Sequence, residues 1–169
     1  MQSTAKSWMS AVIMALIGTV ALSAAAHAQA PKTDDLAALN AQVVKLYQAG
    51  KYAEATEIAK RSLAITEKAL GPDHADVGTS LNNLAELYRV QGRYADAEPL
   101  SKRALAIFEK ALGPDHASVG TALNNLAELY TTQGRYAEAE PLYKRALAIT
   151  EKALGPDHAD VGNRLNNLA

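Results

Sequence analysis

Three histidines recur at a fixed spacing, and they are the residues of this chain best suited to bind a metal ion. His74, His116 and His158 each follow a Gly-Pro-Asp tripeptide and lie 42 residues apart. Equivalent positions in stacked helical units are separated by about 8–10 Å or more, whereas zinc ligands lie about 2 Å from the metal. The three side chains therefore cannot share one ion. We expect no metal site and no cofactor, and interpret each histidine as a connection residue near a helix start.

Acidic and nucleophilic residues give no sign of an active site. Glu86 and Glu128 recur at equivalent positions, and no Ser/His/Asp group or carboxylate pair departs from the repeated pattern. Catalysis usually needs an asymmetric constellation of residues, which an unbroken repeat does not supply. The chain also has no cysteine, and hence no thiolate nucleophile and no disulfide. The sequence predicts a protein without catalytic activity of its own.

Basic pairs recur in the same way. They are Lys60–Arg61, Lys102–Arg103 and Lys144–Arg145. Glu98 precedes Lys102 by four residues, a spacing that favours an ion pair on a helix surface. The 169-residue chain has a formal net charge of −1, which does not fit a strongly basic nucleic-acid binder. We therefore expect a solvated ion-pair face and no nucleic-acid partner.

A further recurring set is polar and rich in asparagine. Its members are Asn82, Asn83, Glu86, Arg89, Asn124, Asn125, Glu128, Asn166 and Asn167. On a helix, Asn82, Glu86 and Arg89 project away from the apolar stripe. Asparagine offers both a donor and an acceptor, so it can hold the backbone of an extended peptide without reading its sequence. The alternative is a polar surface retained through duplication of the repeats, and the sequence is compatible with both interpretations.

The first 28 residues have the layout of a secretory signal. Lys6 precedes an apolar run from Met9 to about Ala26, and the run ends in Ala26-His27-Ala28, a small-x-small pattern. We predict cleavage after Ala28, since cleavage after Ala30 would place Pro31 next to the cut. The alternative is a permanent membrane anchor, but the run is short for one and has no flanking basic stop signal. The sequence thus predicts a periplasmic or secreted protein without stable membrane insertion.

The elements that position the polar residues are set by a 42-residue period. Residues 52–93 and 94–135 differ at 11 of 42 positions, which indicates a stacked repeat array. Within a period, apolar residues at helical spacing predict one helix over 77–91 and a second over 94–112. Gly71-Pro72 ends the preceding helix, and Asp73 is the predicted cap of the next. Short connections make each pair antiparallel, so the predicted fold is an all-α solenoid.

The same residues resemble the tetratricopeptide repeat (TPR). The pattern consists of Leu81, Leu84, Ala85, Tyr88, Gly92, Tyr94, Ala97 and Ala104. The 42-residue spacing, the long second helix and the Gly-Pro-Asp-His connection are similar to the kinesin-light-chain type of TPR. The resemblance implies a protein that binds peptides or protein partners on a concave surface lined by first helices, with the asparagine-rich set in the groove. Together with the predicted signal, we expect a bacterial, exported member of this type.

The predicted organisation has three parts. Residues 1–28 are a signal peptide, 29–35 a flexible linker and 36–169 the array. Within the array we expect a degenerate helix pair at 36–70, repeats at 73–112 and 115–154, and an incomplete helix at 157–169. We expect a protein-interaction scaffold. The alternatives are the amino-terminal arm of a larger enzyme, such as one with a downstream peptidase domain, and a structural element that self-associates through an open solenoid end.

Overall fold

The computed structural model describes residues 33–155 and Val161. This part of the chain forms six helices and no strand, as an all-α solenoid requires. The helices are α1 (Thr33–Gln48), α2 (Tyr52–Leu70), α3 (Ala75–Val90), α4 (Tyr94–Leu112), α5 (Ala117–Thr132) and α6 (Tyr136–Leu154). None of the helices in the described part combines the length and apolarity needed to cross a bilayer.

The first helix begins earlier than the sequence predicts. α1 starts at Thr33, whereas the predicted array starts at residue 36. The regular apolar positions begin only at Leu36, so a prediction from periodicity misses the first turn. The predicted cleavage site at Ala26 and Ala28 lies outside the described residues, as does most of the predicted final helix.

Helices stack in chain order, so each pair is completed by the next. α1 packs on α2, α3 on α4 and α5 on α6, while α2 contacts α3 and α4 contacts α5. α3 also contacts α5 directly. We call α1, α3 and α5 the first-helix layer, and α2, α4 and α6 the second-helix layer. Two apolar clusters lie in the array, one with the almost fully buried Leu87 and Leu129 and the other with Leu81 and Leu123, and each cluster joins successive repeats.

In the connection between α2 and α3, a glycine allows the chain to turn and a histidine caps the next helix. Gly71 has φ of 88°, a left-handed conformation that favours glycine. The predicted cap at Asp73 is wrong. The extended residue before α3 is His74, whose Nδ1 accepts a hydrogen bond from the Asp76 backbone N–H at 3.2 Å. Asp73 lies one residue too early to cap and instead pairs with Lys110 Nζ at 2.5 Å.

Two helical glycines allow close contact between the layers. A Cβ atom at Gly78 would lie 2.9 Å from the Phe108 ring, and one at Gly120 would lie 3.2 Å from Ile149 Cγ2. Glycine inside a helix costs about 1 kcal/mol relative to alanine. The structure supplies their reason, since a larger residue at position 78 would collide with a buried aromatic ring.

Ion pairs cross from one second helix to the next. Arg103 on α4 contacts Glu67 on α2 at 2.7 Å, and Arg145 on α6 repeats the contact with Glu109 on α4 at 2.6 Å. The predicted pair of Glu98 and Lys102 is confirmed, with Nζ and Oε1 2.6 Å apart. Basic residues of the second-helix layer are therefore engaged with carboxylates, as expected of a solvated ion-pair face.

Glu98 also joins α4 to the following repeat. Its carboxylate accepts hydrogen bonds from Arg135 at 2.7 Å and from the Tyr130 hydroxyl at 3.1 Å. These donors, Arg135 foremost and Lys102 next, hold the pKa of Glu98 at about 2. The equivalent residue one repeat earlier is Thr56, whose hydroxyl accepts from Gln91 Nε2 at 2.8 Å. We call these two contacts between successive repeats the seams. The seam at Glu98 depends on a charged carboxylate, and the seam at Thr56 depends on a neutral hydroxyl.

Candidate functional site

The polar set predicted for the groove converges at one place in the first-helix layer. A small depression of about 10 Å³, enough for about one water molecule, lies where α3, α4 and α5 meet. It is lined by Asn82, Ala85, Glu86, Arg89, Ser101, Asn125 and Leu129. Four of these residues belong to the predicted set, and two helices of the first-helix layer supply them. The array therefore brings together residues that are far apart in sequence.

Glu86 and Arg89 form a closed ion pair on one wall. Arg89 donates from Nε to Glu86 Oε2 at 2.7 Å and from Nη2 to Oε1 at 2.8 Å. The Tyr47 hydroxyl of α1 donates to the same carboxylate at 3.4 Å. Hydrogen bonding to Glu86 raises the pKa of Arg89, and burial followed by the charge of Glu86 raises the pKa of Tyr47. Because the guanidinium fork is already engaged, Arg89 is not a free clamp for a carboxylate.

Asn82 is much more buried than a residue on an open groove, with only 8% of its surface exposed. Its Oδ1 atom has no hydrogen-bond donor among the described residues. The reason is visible one repeat earlier, where the equivalent Asn40 Oδ1 accepts from Ser62 Oγ at 2.9 Å. The residue equivalent to Ser62 in the next repeat is Ala104, which has nothing to donate. A buried acceptor without a donor is costly and calls for an explanation.

The next repeat arranges the same positions differently. Asn124, the equivalent of Asn82, donates from Nδ2 to Glu128 Oε1 at 2.6 Å. Thr131 occupies the position equivalent to Arg89, and its hydroxyl lies 3.4 Å from the hydroxyl of Tyr143. Tyr143 is buried on α6 and is the equivalent of Ser101. A phenol ring therefore occupies the position that leaves room for the depression one repeat earlier.

Other predicted residues are placed elsewhere. Asn83 is exposed and does not line the depression, and Asn166 and Asn167 lie outside the described residues. Sequence reasoning missed Ser101, because it considered the first helices alone. A signal was available, since this second-helix position changes from Ala59 to Ser101 to Tyr143 while most neighbouring positions repeat.

The described histidines cap helices by accepting hydrogen bonds from backbone N–H groups. His116 repeats the capping contact of His74, its Nδ1 accepting from the Ser118 backbone N–H at 3.1 Å. Within residues 33–155, no three His, Asp or Glu side chains come together in a group that could hold a metal ion. His158 lies outside the described part.

Comparison with known proteins agrees with this architecture. The sequence model described as "Tetratricopeptide repeat" matches residues 35–110, 76–152 and 119–169, which together cover most of the chain. The chain belongs to the tetratricopeptide repeat family. Its resemblance to that family is thereby confirmed. Proteins of this family are typically scaffolds that bind other proteins.

Solved structures with kinesin-light-chain repeats resemble this TPR chain. Nearly identical TPR-like repeats attributed to a kinesin light chain of Podosopora anserina share 28% identity with a TM-score of 0.73, covering 79% of this chain and 63% of that one. A variant of those repeats with a single substitution shares 27% identity with a TM-score of 0.74, covering 84% of this chain and 66% of that one.

BtubC (BKLC) from P. vanneervenii shares 26% identity with a TM-score of 0.73, covering 83% of this TPR chain and 57% of that protein. The chain thus spans less than two thirds of the length of each of these structures. No curated protein matches its sequence.

Proposed function

We propose that this TPR chain is an interaction scaffold that binds an extended peptide or protein segment across α3 and α5 of the first-helix layer. The observation that carries the proposal is the convergence of Asn82, Glu86, Arg89 and Asn125 on one open depression. Asparagine amides can both donate to and accept from a peptide backbone. The family's typical role as a protein-binding scaffold supports the same function.

The electrostatics of the face favour a partner segment that is not anchored by its charge. Glu86 and Arg89 neutralise each other through two hydrogen bonds. In the next repeat, Glu128 is engaged by the Asn124 amide. An acidic carboxyl terminus would find no free guanidinium here, so we propose an internal segment rather than a chain end. The scaffold has no catalytic activity of its own in this proposal.

Export completes the proposed function. The apolar run after Lys6 and the Ala26-His27-Ala28 pattern support cleavage after Ala28 in a bacterial host. The mature scaffold would then meet its partner in the periplasm or outside the cell. Amino-terminal sequencing of the chain recovered from the periplasm tests this part, and an intact residue 1 in that fraction would contradict it.

The binding face is tested by affinity capture from periplasmic extract. The mature chain, an Arg89→Ala/Asn125→Ala variant and a Glu140→Ala control are compared by quantitative mass spectrometry. Arg89 and Asn125 line the depression, whereas Glu140 lies on the exposed surface of α6. We expect the double variant to lose specific partners by about tenfold or more, as loss of about 1.4 kcal/mol would produce. Equal recovery by all three proteins would refute the assignment.

A further inference from the structure

The first helix of the array, α1, differs from α3 and α5 at the positions of the proposed binding face. Three positions with the spacing i, i+4 and i+7 share one side of each first helix. In α3 and α5 all three positions are polar, and the residues are Thr79, Asn83, Glu86, Thr121, Asn125 and Glu128. In α1 the equivalent residues are Ala37, Ala41 and Val44. The first-helix layer therefore changes from polar to apolar at α1.

These three residues of α1 are accessible to a partner. Ala37 and Ala41 are exposed, and Val44 is half-buried. The residues that pack α1 against the core of the array include Val43 and Leu46, which lie on another side of the helix. Covering the exposed apolar surface of α1 would remove it from water, which is favourable.

Tyr47 joins this apolar surface to α3. It follows Val44 by three residues, so the two side chains are neighbours on the helix. Its half-buried ring packs against the Tyr52 ring, with centroids 5.3 Å apart, and its hydroxyl donates to Glu86 Oε1 at 3.4 Å. We call Ala37, Ala41, Val44 and Tyr47 the α1 patch. The patch is thus continuous with the proposed binding face.

Charge and distance indicate what covers the α1 patch. A charged side chain would lose hydration over these apolar groups and gain no ion pair from them, since none of the four residues is charged. Glu86 and Arg89 nearby already neutralise each other through two hydrogen bonds. Neighbouring helices lie about 8–10 Å apart, and an extended chain advances about 3.3 Å per residue. A segment that lies over α3 therefore reaches α1 about three residues further along.

We infer that the α1 patch binds one aliphatic or aromatic side chain of the same partner segment that lies across α3 and α5. The segment is apolar where it meets α1 and uncharged where it crosses the polar part of the face. The apolar residue fixes the register, because the equivalent positions of α3 and α5 are polar. The inference rests on the proposed binding face and adds to it the chemistry of the side chain at one end.

Peptide selection separates the two claims. A random library of acetylated and amidated nine-residue peptides, each about 30 Å long when extended, is selected on the mature wild-type chain. Each position of the tightest binder is then changed in turn to serine, and affinities are measured by fluorescence anisotropy. We expect one Leu, Ile or Phe whose change to serine weakens binding by about tenfold.

A double variant of α1 tests whether this side chain lies on the patch. Ala41→Asn/Val44→Glu copies Asn83 and Glu86, which α3 already accommodates. The variant should bind the selected peptide and its serine form with equal affinity. Ala38→Asn/Gln42→Glu is the matched control, because it introduces the same residue types at exposed positions on another side of α1. The control should keep the tenfold difference, and both variants should match the wild type in helical circular dichroism.

The outcomes distinguish failure of the patch from failure of the binding face. Peptide binding that Arg89→Ala/Asn125→Ala weakens, but that shows no apolar position or keeps it in Ala41→Asn/Val44→Glu, overturns the α1 patch alone. Loss of the apolar preference in the control variant also overturns it. A wild-type dimer in light scattering that Ala41→Asn/Val44→Glu abolishes would show that a second copy covers the patch, contrary to the inference. If no peptide binds the wild type, the binding face fails and the inference fails with it.

Discussion

Two successive repeats carry almost the same first helix but use its polar residues in opposite ways. In α3, Arg89 donates to the Glu86 carboxylate, and Asn82 Oδ1 has no donor within the described part of the chain. In α5, Thr131 replaces the arginine, and Glu128 binds Asn124 instead. The residue three positions after the glutamate, Arg89 or Thr131, thus determines which side chain donates to the carboxylate. Near-identity of repeats therefore does not make their surfaces equivalent.

The change is matched on the second helix. Arg89 is accompanied by the small Ser101, and the short Thr131 by the large Tyr143. Arg89 and Ser101 line the depression with polar walls between α3, α4 and α5. Duplication has kept the scaffold of the two repeats, while these two positions give each of them its own surface.

The largest expected difference between the repeats concerns the close contact of the layers. Gly78→Ala should lower the free energy of unfolding by about 2 kcal/mol, because its Cβ would approach the buried Phe108 ring to 2.9 Å. Gly120→Ala should change it by less than about 1 kcal/mol, since the nearest atom to its Cβ would be an Ile149 methyl at 3.2 Å, and alanine favours the helix. Urea titration of both variants checks this difference. Equal losses would show that the two interfaces are packed alike.

A second difference lies in the dependence of the seams on pH. The pKa of Glu98 is lowered to about 2 by Arg135 and Lys102, so its stabilising contribution is present above the unfolded pKa near 4.3. This contribution is lost as the pH falls from about 4.3 to 2. We expect Glu98→Gln to destabilise the protein by about 1–2 kcal/mol at pH 6 and by much less at pH 2.5. Thr56→Val at the neutral seam should show no such pH dependence, and parallel pH profiles for the two variants would contradict this account.

A third difference follows from the unpaired acceptor of Asn82. Ala104→Ser restores the residue type that donates to Asn40 in the preceding repeat, so it should satisfy Asn82 Oδ1. Ala146→Ser is the matched control, because the equivalent Asn124 is only half-buried and its Oδ1 is not a buried acceptor without a donor within residues 33–155. We expect the first variant to be more stable than the second by about 1 kcal/mol in urea unfolding. A difference of zero would mean that Asn82 gains nothing from a donor at this position.

The smallest effect should come from the helix caps. His116 Nδ1 accepts a hydrogen bond from the Ser118 backbone N–H at 3.1 Å, and His74 Nδ1 accepts one from the Asp76 backbone N–H. His116→Ala removes that acceptor and should lower the free energy of unfolding by about 0.5 kcal/mol, whereas His116→Asn keeps a capping acceptor and should lower it by less. Urea unfolding at neutral pH measures both variants, and equal losses would contradict the capping role of the imidazole.

The sequence predicts the architecture well because helix stripes, glycine stops and the 42-residue period are local properties. It predicts the site only partly. The positions of Asn82, Glu86, Arg89 and Asn125 near one another follow from the period, since adjacent first helices must stack. The burial of Asn82 does not follow from the period, because it depends on how closely the neighbouring helices pack.

The remaining parts of the site come from tertiary contacts. Ser101 belongs to a different helix, and its role depends on the packing of three helices at one point. The cap at His74 was missed because aspartate is the commoner capping residue, and only the backbone geometry shows which residue is extended.

The central claim is that a partner segment lies across α3 and α5, and site-specific crosslinking tests it most directly. A photoreactive amino acid is placed at exposed Asn83, beside the depression in the first-helix layer, and separately at exposed Ala106 in the second-helix layer. On illumination in periplasmic extract, we predict a discrete crosslinked partner from position 83 and none from position 106. A partner captured from position 106 alone would contradict the claim.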